Sequence, residues 1–198
     1  MPSRSEPSMP HDVADLVTAA RDGDADAFDE LVRVTYAETY TLALRLTGNE
    51  EDARDVVQEA YLRAFKGLKR FRGDAKFSTW MYRITANCAN THLGRRTKHR
   101  HEELKDSDPV IDERANYNPQ VQSDASELRS RLTLALEALP PKLRQVVVLR
   151  DIYDLPHEAI AGELGISETA AKVRLHRARK KLRDDLFVRN VEEAADAV

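Results

Sequence analysis

The chain has 198 residues, with 31 Lys+Arg against 34 Asp+Glu for a formal net charge of −3, seven glycines and one cysteine. One cysteine excludes an internal disulfide and any cysteine-based zinc centre, and so few glycines argue against a β-sandwich or a glycine-rich phosphate loop. The near-neutral total, taken alone, argues against a nucleic-acid binder, which usually carries a basic surplus. Divided along the chain, the charge reads differently. Residues 1–65 carry −8, 66–105 carry +8, 106–141 carry −4, 142–183 carry +5 and 184–198 carry −4. Two basic segments set between acidic ones are a pattern of polyanion-binding faces.

Residues 1–11 are rich in proline, lack apolar periodicity and read as a disordered tail. No apolar core of a signal peptide follows, and no stretch approaches the roughly 18 apolar residues of a membrane span. A soluble, cytoplasmic protein without membrane contact is expected, and the single Cys88 fits a reducing compartment. Helical periodicity starts at Val13, Leu16, Val17 and Ala20, breaks at Asp22-Gly23-Asp24, and resumes through Phe28, Leu31, Leu42 and Leu46. Gly48 ends that helix, and Asn49 can cap the next, with Glu50, Glu51 and Asp52 in its positive first turn. Val56, Val57, Ala60, Tyr61, Ala64 and Phe65 form an apolar stripe for bundle packing. A loop from Phe71 to Phe77 follows, with Ser78 as the expected cap of a helix carrying Trp80, Met81, Ile84, Cys88 and Leu93 into a basic cluster. This first domain spans 12–102. Residues 103–124 are acidic, hold two prolines and have little apolar content, and read as a flexible linker.

The second domain is placed at 125–187, before an acidic tail at 188–198. Leu128, Leu132, Leu136 and Leu139 restart the helical pattern, and Pro141 suits the first position of the helix after Pro140. In 156–182 the spacing is that of a helix-turn-helix. Ile160, Ala161 and Leu164 face inward, Gly165 permits a left-handed corner, Ile166 plugs it and Ser167 can cap the second helix. Ala171, Leu175, Ala178 and Leu182 then make a buried seam, while Val173, His176, Arg177 and Lys180 face outward, flanked by Lys172, Arg174 and Arg179. Seven basic and no acidic residues lie between 172 and 183, as a recognition helix in a major groove requires. The fold class is therefore all-α, two small helical domains on a linker, with no defensible strand.

Residues 71–96 interleave aromatics, cations and amides: Phe71, Arg72, Asp74, Lys76, Phe77, Trp80, Arg83, Asn87 and Asn90. Single-stranded nucleic acid needs that mixture, because bases stack on rings, amides meet base edges and cations hold phosphates. The segments DARDVVQEAYLRAFKGLKRF at 52–71, FRGDAKFSTWMYRITAN at 71–87, LPPKLRQVVVLRDIYDLPHEAIAGELGIS at 139–167 and VRLHRARKKLR at 173–183 together resemble the extracytoplasmic-function group of bacterial RNA polymerase sigma factors. The resemblance covers both domains in order.

It implies a promoter-specificity subunit without a catalytic site or cofactor. The first domain would be sigma region two, with the helix around Asp55, Gln58 and Glu59 docking on the β′ clamp coiled coil of core polymerase. The loop at Phe71–Phe77 would capture a base flipped from the non-template −10 strand, with Asn87 helping to read it, and Arg95, Arg96 and Lys98 would hold duplex phosphates. The second domain would be region four, its helix from Ser167 through Lys180 reading the −35 element and its body meeting the β flap. An anti-sigma partner is implied, and the free chain is expected to be monomeric. Two departures stand out: many members carry Val where Ala171 stands and Ser where Val173 stands. The residues alone leave two other readings open, an operator-binding regulator and a helical adaptor. His92, His99 and His101 sit among too many cations to suggest a metal site, and no nucleophile elbow or phosphate loop is present.

Overall fold

A computed structural model describes residues 12–103 and 124–196, with side chains for 12–96 and 130–185. Four helices build the first domain: α1 (Val13–Asp22), α2 (Ala25–Thr47), α3 (Glu50–Gly67) and α4 (Phe77–Glu103), with a 3-10 turn at Leu68–Arg70. Four more build the second: α5 (Asp124–Glu137), α6 (Pro141–Val147), α7 (His157–Leu164) and α8 (Glu168–Asp196). The expected linker at 103–124 lies almost wholly outside the described residues. The expected boundary at 187 interrupts nothing, since α8 runs on to Asp196.

Side chains set the helix starts. Asp12, Asp24 and Asn49 each accept a backbone N–H from the first turn they precede, at 3.3, 3.1 and 2.8 Å, which satisfies donors that a helix cannot pair internally. Pro141 occupies the first turn of α6 as the sequence suggests. Ser78 does not cap α4. The helix begins one residue earlier at Phe77, with the Trp80 N–H already bonded to the Lys76 carbonyl at 3.1 Å.

Leu31, Leu42, Leu46, Val56 and Met81 are buried at the centre of the first domain, and Val146, Leu149, Leu155 and Ile160 at the centre of the second. α6 is followed by a single π-turn at Val148–Ile152, closed by Tyr153 N–H to the Val148 carbonyl at 3.3 Å. Such a turn inserts a residue into the helical ladder. It delivers Asp154 into a left-handed conformation (φ 52°), braced by Arg150, which donates to Asp154 Oδ1 at 3.2 Å and to the Leu155 carbonyl at 3.0 Å.

The two domains touch. Helix α7 lies on α4, and α6 lies against α2. Gly48, in the left-handed cap of α2, is approached so closely by the buried Arg144 guanidinium that a Cβ there would overlap it. Arg144 is itself anchored by bonds from Nη2 to the carbonyls of Glu137 (3.0 Å) and Leu139 (3.1 Å).

Candidate nucleic-acid interface

The α4 face comes first. Arg83, Asn87 and Asn90 recur at i, i+4 and i+7 and therefore share one side of the helix. Asn87 Oδ1 accepts from Arg63 Nη1 at 2.8 Å. Arg63 in turn donates from Nε to Glu59 Oε1 at 2.7 Å, an ion pair that pulls the Glu59 carboxyl below its ordinary range and raises the Arg63 guanidinium. The remaining groups on this face meet the second domain. Arg83 Nε pairs with Glu163 Oε1 at 2.8 Å. Asn87 Nδ2 lies 3.5 Å from the Glu163 carbonyl, and Asn90 Nδ2 lies 3.4 Å from the Leu164 carbonyl. The C-terminus of α7 thus covers three residues that the sequence assigns to single-stranded DNA. Tyr82, whose hydroxyl donates to Glu38, packs edge-on against Tyr153 at 4.7 Å between ring centroids beside this contact.

The loop before α4 divides its aromatics. Phe77 is buried, and its ring meets Trp80 at 5.7 Å and Phe71 at 6.1 Å. Phe71 also meets Trp80 at 4.9 Å. Phe77 is thus part of the core corner, Trp80 is half-buried against Gly67, and Phe71 forms the half-exposed edge of the trio. Arg72, Asp74 and Lys76 are exposed, with Arg72 and Asp74 paired at 3.1 Å. Between this loop, α1 and α2 lies a cleft of about 560 Å³ lined by Val17, Arg21, Val34, Phe71, Lys76 and Ser78, among others.

At the end of α4, Arg95 and Arg96 are exposed, and the Lys98 side chain lies outside the described residues. Arg96 is tied down by an ion pair with Asp52, which also faces His92 Nε2 at 2.8 Å and accepts from Asn49 Nδ2 at 2.6 Å. Burial alone would raise the Asp52 carboxyl. The Asn49, His92 and Arg96 contacts outweigh it and hold the group below the ordinary carboxylate range.

In the second domain, Gly165 adopts φ 63° and makes the corner between α7 and α8, and Ser167 Oγ accepts from Ala170 N–H at 3.1 Å. Ala171, Leu175, Ala178 and Leu182 are buried. Lys172, Val173, His176, Arg177, Arg179 and Lys180 are exposed and Arg174 is half-buried. Two of these cations have partners on the protein: Lys172 pairs with Glu168 at 2.7 Å, and Arg179 forms a bidentate pair with Asp151 at 2.9 and 2.5 Å.

The third surface is the outer side of α3, where Asp55, Gln58 and Glu59 are exposed. Leu62 and Phe65 continue this side at 48% and 60% exposure. Helical period places Phe65 in the buried stripe, but period alone does not fix the edge of an apolar stripe. Its ring instead rests edge-on against Phe28 at 5.0 Å, at the rim of the bundle.

The family model for sigma-70 region 2 matches residues 23–99, and that for sigma-70 region 4 matches residues 129–182. The sigma factor SigW of Bacillus subtilis, of the extracytoplasmic-function group, is 31% identical over 86% of this chain and 94% of its own length. The chain belongs to the extracytoplasmic-function sigma factors. SigE of Mycolicibacterium smegmatis is 38% identical over 86% of this sigma factor, which spans 66% of that relative's length. The sigma-E factor of Escherichia coli is 33% identical over 84% of this chain and 90% of its own. Among solved structures, that of CnrH in complex with the cytosolic domain of CnrY is 25% identical, covers 87% of this chain and 96% of the other, and has a TM-score of 0.55. The sigma factor RpoE of Bartonella quintana, solved with the anti-sigma factor NepR, shares the fold with a TM-score of 0.60 at 22% identity over 83% of this chain and 99% of that one. Sigma factors are initiation subunits of RNA polymerase, and this one serves transcription initiation. Among the described residues no helix is long and apolar enough to cross a membrane.

Proposed function

We propose that this sigma factor binds core polymerase through the outer side of α3, reads a melted −10 strand with α4 and its preceding loop, and reads a duplex −35 element with α8. The observation that carries the reading is the stripe of Arg83, Asn87 and Asn90 on the helix that the exposed loop residues Arg72 and Lys76 lead into. A flipped base needs a pocket with a stacking ring and edge-reading groups, because extrusion costs a few kcal/mol. The cleft bordered by Phe71 and Lys76 supplies volume, a ring edge and a cation. Phe77, being buried, supports that wall instead of stacking a base.

On α8 the buried seam turns Val173, His176, Arg177 and Lys180 outward together, as docking in a major groove requires. Asp55, Gln58, Glu59, Leu62 and Phe65 give the clamp-facing surface polar groups followed by exposed apolar side chains, a composition suited to a protein partner. The contact of α7 on α4 means that the domains must separate before DNA reaches Arg83, Asn87 and Asn90. Core polymerase, by holding the domains on distant promoter elements, would supply that separation in the cytoplasm. A partner gripping the closed pair would oppose it, and on this reading the chain is held by an anti-sigma protein, as the sigma factor RpoE of Bartonella quintana is solved in complex with the anti-sigma factor NepR.

The test is run-off transcription with core polymerase and a promoter library, with starts sequenced. Start sites enriched over core alone are expected, and their absence overturns the reading. Phe71→Ala and Asn87→Ala are expected to slow open-complex formation while core binding persists. Normal melting by both variants overturns the assignment of the −10 site.

A further inference from the structure

We infer that Arg63 is a positioning residue that sets the polarity of the Asn87 amide, and with it the class of base edge that the α4 face accepts. The inference deepens the reading of Asn87 as a base-reading side chain and rests on it. An amide can present either its oxygen or its NH2 group, and the two are ordinarily hard to tell apart. Here the chemistry decides. Arginine has five N–H donors and no acceptor, so the atom facing Arg63 Nη1 at 2.8 Å must be the Asn87 oxygen. The guanidinium cannot turn away easily, because Glu59 holds its Nε at 2.7 Å from the neighbouring turn of α3.

Asn87 is therefore pinned with its oxygen toward α3 and its NH2 toward the surface. The closed chain already shows what that surface takes. Asn87 and Asn90 both direct Nδ2 at carbonyl oxygens, those of Glu163 and Leu164, and Arg83 beside them takes a carboxylate. Two carbonyls and an anion are also what a nucleotide with an acceptor edge and its phosphate present.

This polarity has a consequence for specificity. Asparagine reads adenine best with both amide atoms, the oxygen accepting from the amino group and the NH2 donating to the ring nitrogen. With its oxygen turned toward Arg63 and α3 and only its NH2 facing the surface, Asn87 does not present both atoms to one base edge. Guanine, thymine and cytosine offer exocyclic carbonyl acceptors to the exposed NH2, whereas adenine offers it only ring nitrogens and leaves its own amino group unmatched. Adenine is disfavoured at the position Asn87 reads.

The experiment uses holoenzyme on a promoter library randomised across the −10 element, with productive starts sequenced. The position in question is the one whose preference flattens in Asn87→Ala. There, the unaltered protein is expected to select against adenine. Arg63→Leu, which releases the amide, is expected to raise adenine relative to the other bases by about tenfold, within the discrimination of one bidentate pair. Arg63→Lys keeps a donor and is expected to keep the profile. Asn87→Asp, with Arg63 in place, turns an acceptor outward and is expected to shift preference toward adenine, which carries an amino donor and no carbonyl. A merely structural role for Arg63 would lower total output without moving the base profile. An Arg63→Leu profile identical to that of the unaltered protein overturns the inference. If Arg63→Leu fails to assemble with core, an unshifted preference in Asn87→Asp overturns it alone. Should Asn87→Ala flatten no position at all, the underlying reading of Asn87 falls instead.

Discussion

Asp52 joins the start of α3 to the turns of α4 that carry Arg95 and Arg96, so replacing its charge tests what holds this basic end of α4. Asp52→Asn keeps the shape and one acceptor oxygen but removes the carboxylate that Asn49, His92 and Arg96 share. A hydrogen bond to a charged group contributes about 1.5–3 kcal/mol when sheltered. The Asp52 side chain is only 9% exposed, but Arg96 is 45% exposed, so solvent screens that pair. A net loss of about 2 kcal/mol is expected, or roughly 4–8 °C in melting temperature for a chain of this size. The pH dependence has a definite sign. The folded carboxyl titrates below its ordinary value of about 3.9 because its partners stabilise the charged form. Its contribution is therefore complete above that value and is lost as pH falls through the lower, folded one. Thermal melts of both proteins, followed by circular dichroism from pH 7 downward, should show a gap that is constant to about pH 5 and closes below pH 4. A gap under about 1 °C at pH 7, or one undiminished at the lowest pH where both still fold, refutes the reasoning.

Glu163→Lys places like charges together at the α4–α7 contact and is expected to expand the free chain in small-angle scattering. The charge swap with Arg83→Glu is expected to restore compactness, and an unchanged radius of gyration in the single variant counts against the closed arrangement. Cys88 is 3% exposed, and burial pushes its thiol up to about 11. At pH 8 that shift from 9.0 alone lowers the thiolate fraction about a hundredfold, so a thiol reagent should label the folded chain at least that much more slowly than the chain in urea, and comparable rates would contradict the burial. Val173 is exposed on the outward side of α8, positioned to meet a thymine methyl. Val173→Ser is expected to weaken selection for thymine within the −35 element, and an unchanged preference sinks that assignment.

Local signals were legible because their physics is local. The Asn49 cap, Pro141 at the start of α6, and the Gly165–Ser167 corner each depend on a few neighbouring residues. The seam of Ala171, Leu175, Ala178 and Leu182 follows from helical period and proved buried throughout. What stayed hidden depends on partners distant in the chain. Nothing near Asp52 announces that its carboxylate meets residues 40 and 44 positions later. Nothing in the residues around Arg63 points to Asn87, 24 positions later, which α4 brings to it. The division of Phe71, Phe77 and Trp80 into edge, core and wall needs the third dimension, because all three suit either a base or a core. The π-turn at Val148–Ile152 changes phase by one residue, and hydrophobic period is too coarse to register that.

The uncovered Leu62 and Phe65 on α3 set a ceiling on how much unassembled chain a solution can hold. Two large apolar side chains side by side attract their counterparts on other copies, while Asp55 on the same side and the net charge of −3 oppose the approach. Salt weakens that repulsion and leaves the apolar attraction intact. Free chain should therefore precipitate at lower concentration as ionic strength rises, while chain seated on polymerase through this side of α3, as proposed, should not.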